Sequence, residues 1–250
     1  AIPGSGNPEY VLGKLADTFN RKQTAHKISI PSSTGTAGAL RDVESGSAAL
    51  GRVGRPLRIE ETRRGLVYVP LGRDPVVFVT GAAVDISNVT FKHMLDVYSG
   101  AITDWKQLGG KSAPIRAIGR EANDAARGVL NRLYPAFEKV VFGKDVKLVH
   151  LDPHVYMLLD RFSTSLAFIN RSGTQAAKTK VVVLALDGIE PTLENVAAGK
   201  YPAVLEFGLV HKAGTINEPT RAFLDYLRTA EATQMLRAHG VAPPAGKVRP

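Results

Sequence analysis

The sequence predicts an α/β protein, and three observations lead to this prediction. Short apolar strands alternate with amphipathic helices along the chain, as they do in α/β folds. The chain has 250 residues, which is long enough to bury one large core or two smaller ones. Its hydrophobic content of 44% and charged content of 22% are typical of an ordinary soluble protein.

The elements of the first third follow from periodicity and turn residues. Asn7 and Pro8 predict a helix N-cap followed by proline at the first helical position, and an apolar helical face comes next. The loop at 32–38 leads into a second helix. Apolar runs predict strands at residues 28–30, 47–50, 66–69 and 76–80.

The same rules apply to the rest of the chain. Helical periodicity predicts helices at residues 91–98, 123–133 and 155–159, and apolar runs predict strands at 115–118, 166–169, 181–186 and 204–210. Asp187-Gly188 is a turn signal, and Pro191-Thr192 opens a short helix that Gly199 ends.

Charge and cysteine content narrow the function classes. The formal net charge of +9 favours anionic partners. The 32 Lys and Arg are scattered, apart from one cluster between residues 52 and 64, and this pattern disfavours nucleic acid. The chain has no Cys, which excludes disulfides and thiolate metal sites and suits an exported protein. No apolar run approaches the roughly 20 residues needed to span a bilayer.

Several segments resemble one family in the same order along the chain. They are GSAALGRVGRPL at 46–57, NVTFKHMLDVYSGAITDWKQLGG at 88–110 and DGIEPTLENVAAGKYPAVLEFGLVHK at 187–212. Residues 222–240 resemble the family's last helix. On these segments the chain resembles the phosphate-binding proteins of ABC transporters, and the similarity covers nearly the whole sequence.

The resemblance implies the two-lobed fold of a type II periplasmic binding protein, with lobe one at 1–80 and 201–250 and lobe two at 81–200. The chain would cross between lobes near Thr80 and Tyr201. A cleft between the lobes, bordered by residues 4–9, 34–37, 52–55 and 120–126, would bind a small anion without a metal or other cofactor. The resemblance further implies a binding protein rather than an enzyme, exported with its signal peptide removed. Its partners would be ABC-transporter membrane subunits or a sensor protein.

Three loop-to-helix junctions are candidates for the anion site, because helix N-termini present unpaired N–H groups and a partial positive charge. They begin at Gly4, Gly35 and Arg120. The resemblance places an oxyanion against hydroxyls and N–H groups at these junctions and against Arg120. The predicted ligand-binding residues are Ser5, Gly6, Glu9, Thr34, Thr36, Ala37, Arg52, Arg55, Arg120, Asp124, Ala125 and Ala126.

Three positions depart from the family pattern. Pro8 stands where a threonine is usual, and Gly54 stands where the most phosphate-specific members have the Asp that accepts the phosphate proton. Asp124 to Ala126 replace the family's Ser-Gly-Thr. Asp124 is either a structural N-cap or a contact for a donor on a ligand other than plain phosphate. Its charge would repel an oxyanion by about 4 kcal/mol at ~4 Å.

Other residues admit two interpretations. Arg52 and Arg55 either bind an anion or are solvated or paired with Glu60 and Glu61. His150, Asp152 and His154 could share a metal, but Pro153 interrupts the extended segment and disfavours this. The leading function is therefore a solute-binding protein for phosphate or a related oxyanion. The alternative is a sensor or interaction module of the same fold that has lost phosphate binding.

Overall fold

The computed structural model describes residues 1–244, and the chain forms two compact units. Unit 1 comprises Ala1–Asp74 and the chain from Leu205 onward, and unit 2 comprises Pro75–Val204. The sequence placed the corresponding boundaries after residues 80 and 200. The end of the predicted lobe one, residues 245–250, lies outside the described part. Within residues 1–244 the structure contains no helix with the length and apolarity needed to cross a bilayer.

The helices and strands alternate along the chain, which confirms the α/β fold class. The helices are α1 (Glu9–Lys22), α2 (Gly35–Glu44), α3 (Ile59–Arg63), α4 (Phe91–Ser99), α5 (Ala125–Leu133), α6 (Pro135–Glu138), α7 (Asp152–Arg161), α8 (Arg171–Ala177), α9 (Leu193–Ala197), α10 (Glu218–Leu227) and α11 (Ala230–Ala238), with a 3₁₀ turn at Trp105–Leu108. The strands are β1 (Gly51–Val53), β2 (Leu66–Gly81), β3 (Asn88–Val89), β4 (Arg116–Arg120), β5 (Lys147–Val149), β6 (Ser165–Asn170), β7 (Val181–Val183), β8 (Ala185–Leu186) and β9 (Val204–Lys212).

Unit 1 is built on β9, which lies between β1 and the first half of β2. β1 and β9 are antiparallel, with Val53 opposite Gly208. The apolar face of α2 packs on this sheet through Ala39, Leu40 and Val43. On α1, Phe19 meets Phe223 of α10 edge to face, with ring centroids 5.3 Å apart. Buried apolar stripes on the helices therefore hold unit 1 together.

Unit 2 is a mixed sheet in which β4 is central to the site described below. The second half of β2 is antiparallel to β6, with Phe78 opposite Phe168. β4 is parallel to β6 on one side and to β5 on the other. The buried rings of Tyr98, Phe137 and Phe168 fill the core against this sheet. Because β4, β5 and β6 run in one direction, the residues that follow them come to the same edge.

Several predicted elements are wrong or displaced. Residues 28–30 form no strand, because the Asn20 side chain binds both the N–H and the C=O of Ile28. Residues 47–50 form no strand either; the strand is Gly51–Val53. The predicted strands at 66–69 and 76–80 are one continuous strand, and the predicted strand at 181–186 is divided in two. Residues 222–240 contain the end of α10 and all of α11 rather than one helix.

The start of the first helix also differs from the prediction. Pro8 is the N-cap and α1 begins at Glu9, so Asn7 lies one residue outside the helix. Two other helices have the threonine N-caps that are typical of helix starts. Thr90 caps α4 by accepting from the N–H of His93, and Thr192 caps α9 by accepting from the N–H of Asn195.

Gly208 provides a test of the close packing in unit 1. A Cβ at this position would lie 2.3 Å from the Val69 carbonyl oxygen and 2.6 Å from the Tyr68 ring. We expect Gly208→Ala to lower the free energy of unfolding by about 1–3 kcal/mol, because the backbone has to move. Chemical denaturation measures this. Gly13→Ala on α1 is the matched control, since nothing lies within 4 Å of its Cβ and alanine favours the helix. Equal stability of the two variants would contradict the packing.

Candidate functional site

Three loops of unit 1 meet at Gly4. A parallel bridge joins Gly4 to Arg52, and the N–H of Thr34 donates to the Gly4 carbonyl at 3.0 Å. The N–H of Ser5 donates to the Arg52 carbonyl at 2.9 Å. Gly4 has a φ of 138°, and a Cβ there would lie 2.0 Å from the Arg52 carbonyl oxygen, so only glycine fits. The structure thus brings together the loops at 4–9, 34–37 and 52–55.

The Arg52 side chain connects these loops through hydrogen bonds. Its side chain is completely buried. The guanidinium donates to the carbonyl oxygens of three residues and to a carboxylate: Ser5 at 2.7 Å, Pro31 at 2.6 Å, Ile2, and Glu9 Oε2 at 2.9 Å. The suggestion that Arg52 is solvated or pairs with Glu60 or Glu61 is wrong, since its ionic partner is Glu9. These contacts give Arg52 a structural role, and the Glu9 carboxylate balances its buried positive charge.

Arg55 does pair with Glu61, as one of the two interpretations proposed. The pair is bidentate, with nitrogen–oxygen distances of 2.6 and 2.8 Å. Glu61 also accepts from the N–H of Arg58 at 2.7 Å and is buried. The hydrogen bonds from Arg55 hold the pKa of Glu61 below its usual range, against the opposing effect of burial. Arg55 therefore supports the turn that opens α3.

The start of α2 presents hydrogen-bond donors. The Thr34 side chain makes no capping bond, and the Ser33 hydroxyl accepts from the N–H of Gly35 at 3.2 Å. The N–H groups of Thr36 and Ala37 lie in the first turn, where an α-helix supplies no acceptor. Thr36 Oγ1 accepts from the N–H of Gly54 at 3.2 Å, and its O–H remains able to donate to another acceptor.

The start of α1 is different in character. Ser5 and Asn7 are buried, and the Ser5 hydroxyl donates to Asn7 Oδ1 at 3.4 Å. The carbonyl of Gly6 accepts from the N–H of Glu9 at 2.9 Å. Pro8 contributes no N–H, as the sequence indicated. The predicted residues Ser5, Gly6 and Glu9 are thus engaged within the loop assembly, and the donors of unit 1 come mainly from α2.

Sheet topology in unit 2 brings Arg120 close to Asp152. Arg120 is the last residue of β4, and Asp152 is the first residue of α7, which follows β5. These parallel strands place Arg120 opposite Val149. Arg120 Nη1 contacts Asp152 Oδ1 directly, and Arg120 Nη2 donates to the His150 carbonyl at 3.2 Å. His150 Nδ1 lies 2.6 Å from Glu121 Oε2, and within residues 1–244 the structure does not bring His150, Asp152 and His154 together as a metal-binding group.

Asp124 is both an N-cap and a partner of Arg120. Its Oδ1 accepts from the N–H of Arg127 at 2.9 Å, and its Oδ2 lies 3.0 Å from Arg120 Nη2. The structural interpretation of Asp124 as a capping residue is confirmed. Burial, with a smaller contribution from Asp152, raises the pKa of Asp124 to about 6 against the pull of Arg120. Ala125 and Ala126, the next predicted residues, offer no side-chain donor.

The cluster of Arg120, Asp124 and Asp152 carries more negative than positive charge. All three side chains are buried. Within residues 1–244, Arg120 Nε and Asp152 Oδ2 have no hydrogen-bond partner. We expected Arg120 to be the main positive charge of the binding site, yet two carboxylates balance it. Asp152 was not predicted as the partner of Arg120, because their contact follows from the parallel pairing of β4 with β5, and no strand was predicted at 147–149.

Comparison with known proteins agrees with this fold. Residues 1–231 match the family described as the PBP superfamily domain. The phosphate-binding protein PstS of Borreliella burgdorferi is 21% identical over 252 residues, which cover 96% of this chain and 88% of that protein.

Solved structures show the same similarity. A putative phosphate ABC transporter substrate-binding protein with bound phosphate from Clostridium perfringens has a TM-score of 0.82 and 23% identity, covering 97% of this chain and 98% of that one. An ABC-type phosphate transport receptor from Vibrio cholerae has a TM-score of 0.70 and 22% identity, covering 97% and 99%. At these identities the structures establish the fold, and the resemblance seen in the sequence is confirmed.

Removal of the Arg52 guanidinium should destabilise unit 1 strongly. We expect Arg52→Ala to lower the free energy of unfolding by about 3–5 kcal/mol, because the Glu9 carboxylate and three carbonyls lose a buried donor. Chemical denaturation followed by circular dichroism measures this. Arg63→Ala, at an exposed position on α3, is the control and should change stability by less than about 0.5 kcal/mol. A similarly small effect at Arg52 would show that its contacts contribute little.

The Arg55–Glu61 pair should make stability depend on pH. Because the pKa of Glu61 is lowered in the folded chain, ionised Glu61 stabilises the fold above its unfolded pKa of about 4.3. That contribution is lost as the pH falls further, through the folded pKa. The difference in unfolding free energy between the native chain and Glu61→Gln should therefore be largest near neutral pH and shrink below about pH 4.3. Glu60→Gln, at an exposed neighbour, should show no such trend. A pH-independent difference at Glu61 would argue against the ion pair.

Proposed function

Since this chain belongs to the PBP superfamily domain family, we propose that it is an extracytoplasmic solute-binding protein that binds a small oxyanion. The single observation that carries the proposal is the surface at the start of α2. There the Thr36 hydroxyl and the first-turn N–H groups of α2 meet the loops of Gly4 and Gly54. A rigid arrangement of neutral donors at a helix N-terminus binds oxyanions without a metal.

Preorganisation supports this role. The bridge at Gly4 and the buried Arg52 fix the three loops before any ligand arrives, so little ordering free energy remains to oppose binding. Thr36 is fixed as well, because the N–H of Gly54 occupies one acceptor position of its hydroxyl. Its O–H can then donate to an incoming oxyanion.

We propose phosphate or a related oxyanion as the ligand class, with phosphate bound more weakly than a site rich in ionic donors would bind it. Gly54 has no side chain that could accept a proton from a protonated oxyanion. In unit 2, the N–H of Arg127 and the guanidinium of Arg120 are already bound to Asp124. Loss of two or three charge-assisted hydrogen bonds at about 1.5–3 kcal/mol each would remove much of the roughly 8 kcal/mol of a micromolar site.

One observation favours a second candidate function. The charged groups of Arg120, Asp124 and Asp152 are paired with one another. This arrangement suits a module that has lost phosphate binding and recognises a different small ligand or a protein partner. In the transport role, the partners would be the membrane subunits of an ABC transporter. In the second role, the partner would be a sensor protein. Both roles involve reversible binding without catalysis.

Calorimetry with phosphate, sulfate, phosphonates, carboxylates and amino acids at neutral pH tests the proposal. We expect a measurable signal with at least one oxyanion and a phosphate dissociation constant above about 1 μM. Submicromolar phosphate binding would contradict the weak-binding argument. Binding restricted to carboxylates or amino acids, or to none of these compounds, would favour the second candidate.

Thr36 provides the sharpest variant pair for this surface. Thr36→Val keeps the side-chain shape and removes the hydroxyl, and we expect oxyanion affinity to fall by at least about tenfold, since a hydrogen bond to a charged group contributes about 1.5–3 kcal/mol. Thr36→Ser keeps the hydroxyl and should bind nearly as the native chain does. Calorimetry with the best oxyanion of the panel measures both. Equal affinity of the valine and serine variants would remove Thr36 from the site.

A further inference from the structure

In unit 2, the chain's own carboxylates occupy two helix N-termini. Asp124 caps α5 and accepts from the N–H of Arg127, and Asp152 is the first residue of α7. Both carboxylates contact the same guanidinium, that of Arg120. An anion at a helix N-terminus is stabilised by the first-turn N–H groups and the helix dipole. Asp124 therefore occupies donors that an external anion could otherwise use, and the Asp152 carboxylate occupies a guanidinium nitrogen of Arg120 beside them.

The charges around this cluster do not balance. Two carboxylates face one guanidinium, which leaves a net charge of −1 when both are ionised. The other polar groups nearby are Glu121, with its partner His150, the hydroxyl of Tyr156 and the Arg127 side chain. Arg127 donates instead to the Arg120 carbonyl at 2.7 Å and lies over the Phe142 ring at 4.4 Å. Its guanidinium therefore interacts with the Asp124 carboxylate only at longer range.

A second feature of the cluster points to a ligand group. Asp152 Oδ2 and Arg120 Nε are buried and have no hydrogen-bond partner within the described residues. Buried polar atoms in proteins are nearly always satisfied, and unsatisfied ones mark places where a proton, a water molecule or a ligand completes the structure. Neutralisation of one carboxylate would remove the excess negative charge that the two carboxylates place beside one guanidinium.

We propose that Asp124 competes internally with anionic ligands in unit 2, and that uptake of one proton by the Asp124 carboxylate relieves this competition. The inference rests on the proposed oxyanion-binding function and adds its regulation by pH. With the proton bound, the cluster is neutral and the carboxyl of Asp124 holds the Arg127 N–H and Arg120 less strongly. Anion affinity then increases as the medium becomes acidic.

The pH range follows from the environment of the pair. Burial raises the pKa of Asp124 to about 6, and the neighbouring Asp152 carboxylate adds to this effect. Above this pKa the ionised Asp124 carboxylate repels anions, and its buried charge also costs folding free energy. As the pH falls through about 6, the folded chain binds a proton that the unfolded chain does not yet bind. Affinity for anions and stability of unit 2 should rise together.

The test uses sulfate, because its charge does not change between about pH 5 and pH 8, and measures its dissociation constant on the full chain by calorimetry. We expect native affinity to be at least about tenfold higher near pH 5 than near pH 8. Asp124→Asn keeps an N-cap residue and removes the charge. Its sulfate affinity should be high and independent of pH. Asp104→Asn, at the exposed N-cap of the 3₁₀ turn in unit 2, is the matched control and should keep the native pH dependence.

Asp152→Asn provides a second readout if Asp124→Asn folds poorly. With Asp152 neutralised, one cause of the raised Asp124 pKa is removed while burial remains, so the change of affinity between pH 5 and 8 should become smaller. Denaturation curves across the same range should show the native chain gaining stability toward pH 5, Asp152→Asn gaining less, and Asp124→Asn remaining flat.

The possible failures are distinguishable. Sulfate binding by the native chain with no pH dependence would overturn this inference and leave the proposed function standing. The same pH dependence in the native chain and in Asp124→Asn would also overturn it. Absence of sulfate and phosphate binding in every variant at every pH would overturn both the inference and the proposed function.

Discussion

The buried guanidinium of Arg52 is the interaction on which unit 1 depends. Four hydrogen bonds join it to the N-terminal segment, to Pro31 and to Glu9 at the start of α1. Few other groups could replace it, because arginine alone offers five donors in a fixed plane. β1 positions Arg52, and the hydrogen bonds of Arg52 hold the loops around the start of α2 in place. The function proposed for unit 1 thus depends on a residue that is itself unavailable to a ligand.

Unit 2 repeats the arrangement with a different outcome. Arg120 ends β4, whereas Arg52 is the middle residue of β1, and each contacts a carboxylate at the start of a helix. Arg120 contacts two carboxylates, those of Asp124 and Asp152, and two buried atoms of this cluster have no hydrogen-bond partner within residues 1–244. Arg52 therefore stabilises the loops of unit 1, and Arg120 belongs to a group that can gain or lose a proton.

The sequence predicted the fold and the loops of the site more reliably than the roles of single side chains. Apolar periodicity predicted most helices, and turn residues predicted where α9 begins and ends. The predictions of short strands were less reliable. Residues 28–30 have a strand-like pattern, but the Asn20 side chain binds the backbone of Ile28, eight residues away. The capping role of Asp124 could be read locally. The pairing of Arg120 with Asp152 depends on two parallel strands lying side by side, and no local pattern reports that. Arg52 looked like a surface arginine because its partners lie 21 to 50 residues away in sequence.

The long strand β2 has a consequence for how the chain is assembled during synthesis. Unit 2 is one continuous stretch of chain, and its two ends are already joined, since the Tyr201 hydroxyl and the Ala203 carbonyl both bond to Val76. Unit 1 instead needs β9, which lies between β1 and β2 but is made more than 120 residues after them. The first 74 residues therefore emerge without the strand that completes their sheet, and their exposed edges must be kept from pairing elsewhere. During translation, unit 2 can therefore fold before unit 1. The N-terminal segment completes its packing only after β9 has been made.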